Sequence, residues 1–365
     1  MPNTIEILPS SHSPSLSKKQ SLLNYEAAER QFVNLLEVED LDKTLATKPL
    51  LVSDFESAIA DAIQSAYQQE PGDEAAHRFL QRVLYRINRL NLFWYDDLSR
   101  YNNERSHYLR SVRDRIEEPW QQWEIAQIDV AALQKLPDIK QALRDRAAAD
   151  VDPPLNESDR YLREQMTADG YRHLLAIASF DGLVEASRLS RILGGAGNEI
   201  QCTLTRVLIE EYGGGRLPRK HSTFFAQMLA EFDMSTEPEA YFDLVPWQVL
   251  CGINHNFLLT ERKRHFLRYN GGLTYFEVAG PVAYRNYLAA AQRLGLSQAA
   301  MGYWELHIKE DERHGRWMLD EVAIPLVDRY PQEAWELVLG YDQEKSIGDR
   351  AAAAVVRSIQ ATEQN

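Results

Sequence analysis

The run His307-Ile308-Lys309-Glu310-Asp311-Glu312-Arg313-His314 decides how the rest of the chain reads. At about 100° per residue on an α-helix, positions 307, 311 and 314 fall within about 60° of arc, so two imidazoles and a carboxylate project from one stripe. That is the mixture of nitrogen and hard oxygen donors that iron favours. The competing reading is a solvated, charge-laced face, since Lys309, Glu310, Glu312 and Arg313 are also polar. Trp304, Leu306, Trp317 and Met318 flank the run on both sides, which points to a buried helix, and buried charges need partners or a metal.

Working outward, a second signal is Glu210-Glu211-Tyr212, followed by Gly213-Gly214-Gly215 and, in the next segment, His221. The glycine turn can fold a carboxylate at one helix end and an imidazole at the start of the next toward one point. A carboxylate at a helix C-terminus is opposed by the macrodipole, so a positive neighbour is expected there, either a metal or Arg216. Glu185, after Phe180-Asp181-Gly182-Leu183-Val184, and Glu277, between Leu273-Thr274-Tyr275-Phe276 and Val278-Ala279-Gly280-Pro281, are single acids in small or apolar stretches. For Glu185 a salt bridge to Arg188 is the plain alternative. Histidine ligands need acceptors on their outer ring nitrogens, for which Asp181, Asn254 and Glu310 are candidates. Tyr212, His255, Tyr275 and Tyr303 could line a substrate pocket, although aromatic side chains at helical spacing are usually core.

The periodicity predicts an all-α protein. Phe79, Val83, Ile87 and Leu90 return at helical intervals, and no useful length of β-type alternation occurs. Residues 1–20, rich in Ser and Pro, read as a disordered start. Residues 21–150 read as an N-terminal helical region, whose Phe93-Trp94-Tyr95, Trp120 and Trp123 would serve core packing or dimerisation. Asp150-Val151-Asp152-Pro153-Pro154 ends that region, because two prolines cannot continue a helix, and residues 158–360 form the domain that carries the motifs. Within it one long helix is expected from Asp159 to about Leu193, stopping at Gly194-Gly195. A second is expected with Asn198 as N-cap and Gln201 completing a capping box. Pro218 suits a helix first turn, and further helices are expected over 246–268, 274–294, 298–320 and 332–358, with a break at Asn270-Gly271-Gly272.

Composition excludes several function classes. A formal net charge of −14 leaves no basic surface to displace counterions, so nucleic acid is not an expected partner. No run of 18 apolar residues and no signal-type apolar stretch occurs, so a cytoplasmic protein without a membrane partner is expected. The two cysteines, Cys202 and Cys251, lie in apolar segments with no CxxC spacing and read as small core residues. No glycine-rich phosphate loop follows a strand, which excludes nucleotide-dependent chemistry of the Rossmann or P-loop kind.

Carboxylates and histidines gathered from several helices are how diiron proteins hold two metals, but the paired Glu-x-x-His of ferritin-like bundles is missing here. The ordered set Glu185, Glu211 with His221 ten residues on, and His307-x3-Asp311-x2-His314 resembles the haem-oxygenase-like diiron oxidases and oxygenases, over roughly residues 158–325. The resemblance implies a haem-oxygenase-like helical bundle with an N-terminal helical extension. It also implies two non-haem Fe ions held by those six residues, O2 as co-substrate, an external electron donor and a homodimer. Glu277 falls where some N-oxygenating members place an additional carboxylate, so the expected metal residues are Glu185, Glu211, His221, Glu277, His307, Asp311 and His314. About 50 residues follow His314, too few for the cupin that completes N-nitrosation in one such enzyme, so N-nitrosation by this chain alone is not expected.

Three function classes fit these residues. The first is a diiron oxygenase that converts an amine, guanidine or amino-heterocycle nitrogen of a small metabolite to a hydroxylamine, nitroso or nitro product. The second keeps the ligand set but desaturates, or cleaves a C–C bond of, an amino or fatty acid. The third is a non-enzymatic helical scaffold in which the same acids and histidines form a structural network. A haem protein would need one proximal histidine and would leave the other ligands unexplained.

Overall fold

Aspartate, serine, asparagine and threonine begin most of the early helices, as capping chemistry requires. Asp40, Asp73, Ser106, Asp129, Asp138 and Thr167 each accept a backbone N–H from the first turn that they cap. Asn156 and Asp159 form a reciprocal capping box. The computed structural model describes residues 18–69, 72–91, 98–184, 187–195 and 197–364, and no strand occurs among them. The N-terminal half contains α1 (Lys18–Leu36), α2 (Leu41–Thr47), α3 (Ser53–Tyr67), α4 (Glu74–Asn88), α5 (His107–Ala126), α6 (Val130–Leu133) and α7 (Ile139–Asp150). After the prolines come α8 (Glu157–Glu164), α9 (Ala168–Gly182), α10 (Asn198–Glu211), α11 (His221–Ala230) and α12 (Trp247–Glu261). The chain closes with α13 (Phe266–Arg293), α14 (Gly302–Trp317), α15 (Ile324–Arg329) and α16 (Trp335–Glu363). None of the described helices is long and apolar enough to cross a membrane.

Two of the three apolar clusters among the described residues set the surroundings of the motif helix. The larger gathers Phe32, Phe55, Leu80 and Trp120 from the N-terminal half with Leu258, Leu267, Val322 and Leu337 from beyond the prolines, so apolar packing runs across the break at 153–154. The second lies around Tyr171, Phe225, Met228, Trp304 and Ile359 and backs the stretch of α14 that carries the histidines. Trp120 is fully buried, its indole N–H donating to Glu124 at 3.0 Å, and therefore serves the core. Phe93-Trp94-Tyr95 lies outside the described residues.

The structure corrects several element expectations. The helix expected from Asp159 to Leu193 is two helices, α8 and α9, because Thr167 starts a new one by accepting from Gly170 N–H while Glu363 holds its backbone N–H. Gly197, not Asn198, caps α10, and Gln201 donates to the Leu193 carbonyl at 2.9 Å instead of closing a capping box. Pro218 sits in a short 3-10 turn, Leu217–Arg219, and α11 starts at His221. Asn270-Gly271-Gly272 does not break the chain; α13 runs straight through it. The reason lies on the partner helix: a Cβ at Gly271 would overlap the Leu337 carbonyl, and one at Gly340 would overlap the Arg268 carbonyl. The two glycines let α13 and α16 cross with their backbones in contact, which fixes the helix carrying Glu277.

α14 passes into a π-helical segment, Met318–Ala323, before α15. Pro325 has no N–H to give to the carbonyl of Glu321, so the regular α ladder cannot run through this point. The wider turn accommodates the missing bond.

Candidate metal centre

α10, α11, α13 and α14 converge on one buried cluster. Glu211 is the last residue of α10, and Gly213, Gly214 and Gly215 come next with φ of 61°, 63° and 75°. This left-handed run is open to glycine and reverses the chain so that His221 enters at the start of α11. Gly213 packs against the Arg219–Lys220 backbone, where a Cβ would collide. α14 supplies His307, Asp311 and His314 from one stripe, all buried, as helical spacing requires.

Glu211 stands between two sets of donors. Its Oε2 lies 2.8 Å from His221 Nδ1 and 3.9 Å from His307 Nε2, and those two nitrogens are 3.1 Å apart. Its Oε1 lies 3.3 Å from His314 Nδ1, which is also 3.7 Å from Asp311 Oδ1 and 3.4 Å from Glu277 Oε2. Cis ligands about 2.1 Å from one first-row metal are separated by about 3 Å, so both sets have ligand spacing. Ligand atoms of Glu211, His221 and His307 lie within 4.8 Å of one another, as do those of Glu211, Asp311 and His314.

The outer nitrogen of each ring is held. His221 Nε2 meets Glu310 Oε2 at 3.0 Å, His307 Nδ1 meets the Tyr303 carbonyl at 2.9 Å, and His314 Nε2 meets Glu210 Oε2 at 2.8 Å. With those three contacts made through outer N–H groups, three lone pairs face the cluster. Among the described residues, both oxygens of Asp311, 1% exposed, and Nδ1 of His314 have no hydrogen-bond partner. Buried polar atoms left open in this way are costly unless something positive sits among them. The donor set therefore fits iron: nitrogen and carboxylate oxygen, pre-aimed, with the rings fixed from outside.

The electrostatics agree. Burial alone would raise the Glu211 carboxyl, but the imidazoles of His221 and His314 beside it hold it well below the ordinary range. Burial opposes the charged ring of His221, yet Glu211 and Glu310 push it up to about 9; Glu211 and Glu277 push His314 up to about 11 in the same way. Asp311 is driven well upward, by burial first and then by the charges of Glu277 and Glu211. Protons thus occupy sites that a dication would take over.

Of the expected metal residues, the structure brings Glu211, His221, Glu277, His307, Asp311 and His314 together, while Glu185 lies outside the described residues. Among the expected outer partners, Glu310 is in place. Asp181 pairs with Arg188 instead, and Asn254 is bound in the core to Gln81 and Asn88, remote from these contacts. Of the expected pocket residues, Tyr303 packs on His307 with ring centres 4.0 Å apart and Tyr212 approaches Ser187. Tyr275 packs edge-on against Tyr341, and His255 is buried on α12. Sequence reading named Glu210 only as a neighbour of Glu211 and missed its role behind His314; an acid adjacent to a ligand was the available signal.

A cavity of about 70 Å³ opens onto Glu211, Glu277, His307 and Asp311 and extends to Arg188, Tyr269 and Glu344. A larger groove of about 840 Å³, beside α5 and the end of α12, shares none of these residues. Two of its ion pairs are Arg262 with Glu117 and Arg113 with Glu261, each at 2.5 Å. The smaller cavity is the one with chemistry at its wall.

Residues 172–343 match a family model described as iron-containing redox enzyme. The chain is also 28% identical over 150 residues to nitrosourea synthase of Streptomyces achromogenes subsp. streptozoticus, an alignment covering 41% of this chain and 32% of that protein. The chain thus spans about a third of the length of the curated relative that it matches. Residues 172–343 are thus similar to iron-containing redox enzymes, and the described residues add a helical fold and histidine–carboxylate clusters compatible with iron.

Proposed function

We propose that this chain is a non-haem diiron oxygenase that oxygenates the nitrogen of a small amine, guanidine or amino-heterocycle. The observation that carries the reading is the position of Glu211, each of whose two oxygens faces its own set of donors. One ion would be held by His221, His307 and Glu211; the other by Glu211, Asp311 and His314, with Glu277 beside it. Glu185 belongs to the proposed set on the family resemblance. Two ferrous ions there would supply electrons for the reduction of O2, and an external donor must return them after each turnover.

The protein's own part is orientation. Glu310, Glu210 and the Tyr303 carbonyl fix the three rings, so that ligand nitrogens are in place before metal arrives. The Gly271–Gly340 crossing holds α13, and with it Glu277, against the cluster. The cavity presents a substrate to the side of the site lined by Glu277, His307 and Asp311 and limits it to a slender group. Desaturation or C–C cleavage would use the same ligands. Nitrogen is favoured by the extra carboxylate Glu277 and by the relative's printed activity, a nitrosourea synthesis. A homodimer formed through the N-terminal helices is part of the proposal, and sedimentation of the full chain tests it.

The test of the main reading is anaerobic Fe(II) titration of the full chain, then exposure to O2 with a panel of amines and guanidines, with products read by mass. Two irons per chain and an N–O product would support the reading. No iron uptake and no O2 consumption would leave the helical scaffold instead.

A further inference from the structure

Among the described residues, Glu344 is the carboxylate on this cavity wall with no charged partner within hydrogen-bond reach. It projects from α16 into the cavity that begins at Glu211, Glu277, His307 and Asp311, and 13% of its side chain is exposed, so it is largely enclosed. Its hydrogen-bond donor among the described residues is the neutral amide of Asn256, at 3.2 Å from Oε1. Its Oε2 lies 4.0 Å from His255 Nε2, beyond hydrogen-bond reach, and burial drives that imidazole well below its ordinary range, so it brings no charge. Arg188, the guanidinium on the same cavity wall, is already paired with Asp181. The remaining acids on the wall face the imidazoles of the metal cluster.

An enclosed carboxylate with one neutral donor is costly unless it takes up a proton or a cation completes it. The surroundings leave room for one. Gly272 faces Glu344, and a Cβ there would stand 3.2 Å from Oε2, crowding the free oxygen. Tyr269 and Phe276 add aromatic rings to the same cavity, which favour a cation over a neutral group.

We propose that Glu344 is the specificity-determining residue of the cavity, binding a cationic guanidinium or ammonium group of the substrate through its free oxygen and aligning it along the cavity toward the metal ligands. This rests on the nitrogen-oxygenating reading above and adds the recognition element to it. Burial raises the Glu344 carboxyl to about 7, with Asn256 and Arg188 pulling it back, so an incoming cation meets a group already near the balance between its two forms.

Anaerobic calorimetric titration of the ferrous full chain, and of the iron-free chain alongside, with n-butylguanidinium and its neutral isostere n-butylurea tests this. The wild type should prefer the guanidinium, and Glu344→Gln should weaken guanidinium binding about 10- to 100-fold while leaving the urea nearly unchanged. Glu344→Asp, which keeps the charge, should retain the preference, and iron uptake should be unaltered in both variants. Equal binding of the two probes by the wild type, no binding of the guanidinium, or an undiminished preference in Glu344→Gln would overturn the proposal. Single-turnover product analysis separates the two readings. A guanidinium bound through Glu344 with no N–O product sinks nitrogen oxygenation and spares the subsite. N–O product formed with no dependence on Glu344 does the reverse.

Discussion

His77 and His255 are as thoroughly buried as His221 and His314, with exposures of 4%, 0%, 1% and 0%, yet their surroundings act on them in opposite directions. His77 lies stacked on Trp247 with ring centres 4.3 Å apart and Tyr67 edge-on, and burial pushes it down to about 4. His255 has no hydrogen-bond partner on either ring nitrogen among the described residues, and burial pushes it well down. Around His221 and His314 the desolvation penalty is no less real, but Glu211, Glu310 and Glu277 overcome it. Burial therefore does not distinguish a ligand from a core histidine. The distinction lies in how many carboxylates face the ring and whether its outer nitrogen is held.

The strongest way to break this contrast is to remove a ligand and a core histidine in parallel. Asp311→Ala and His314→Ala should each lower Fe(II) affinity by more than about 100-fold, beyond what outer partners contribute, as read by anaerobic titration. His77→Phe should bind iron like the wild type; loss of iron there too would dissolve the distinction.

Next in size is an effect on stability alone. The folded state holds His77 down at about 4 against 6.5 for the free group, so its contribution is complete above pH 6.5 and is lost as pH falls toward 4. The loss amounts to about 3 kcal/mol. His77→Phe keeps the stack on Trp247 and removes the titration, so urea unfolding at pH 7 and pH 4 should show a smaller difference for the variant. An unchanged difference would mean that other groups carry the acid sensitivity. The smallest effect sharpens the outer shell: Glu310→Gln keeps an acceptor for His221 but loses its charge, and should cost about 10-fold in Fe(II) affinity by chelator competition. No change would reduce Glu310 to a bystander.

How much of this could be read from sequence depended on how local each signal was. His307, Asp311 and His314 are one helical stripe, and the phase of a helix is written in consecutive residues. Glu211 and His221 were legible because a glycine turn joins them directly. Gly271 and Gly272 were misread as a break because a glycine that ends a helix and one that admits another helix look alike locally; Leu337 and Gly340, which tell them apart, are more than sixty residues away. The division between α8 and α9 depends in part on Glu363, at the far end of the chain. Glu344 sits among polar neighbours in Tyr341-Asp342-Gln343-Glu344-Lys345, and only the tertiary arrangement sets it apart. The all-α class and the bundle were recoverable because periodicity is repeated many times along the chain.

The π-helical turn at Met318–Ala323 acts as a phase shifter. Each residue beyond the α-helical count rotates the downstream helix by about 100°. The ligand stripe upstream faces the cluster, and the residues within and after the wide turn, Met318, Val322 and Leu326, face the large core. The helix thus carries the ligands upstream of the wide turn and core residues within and after it.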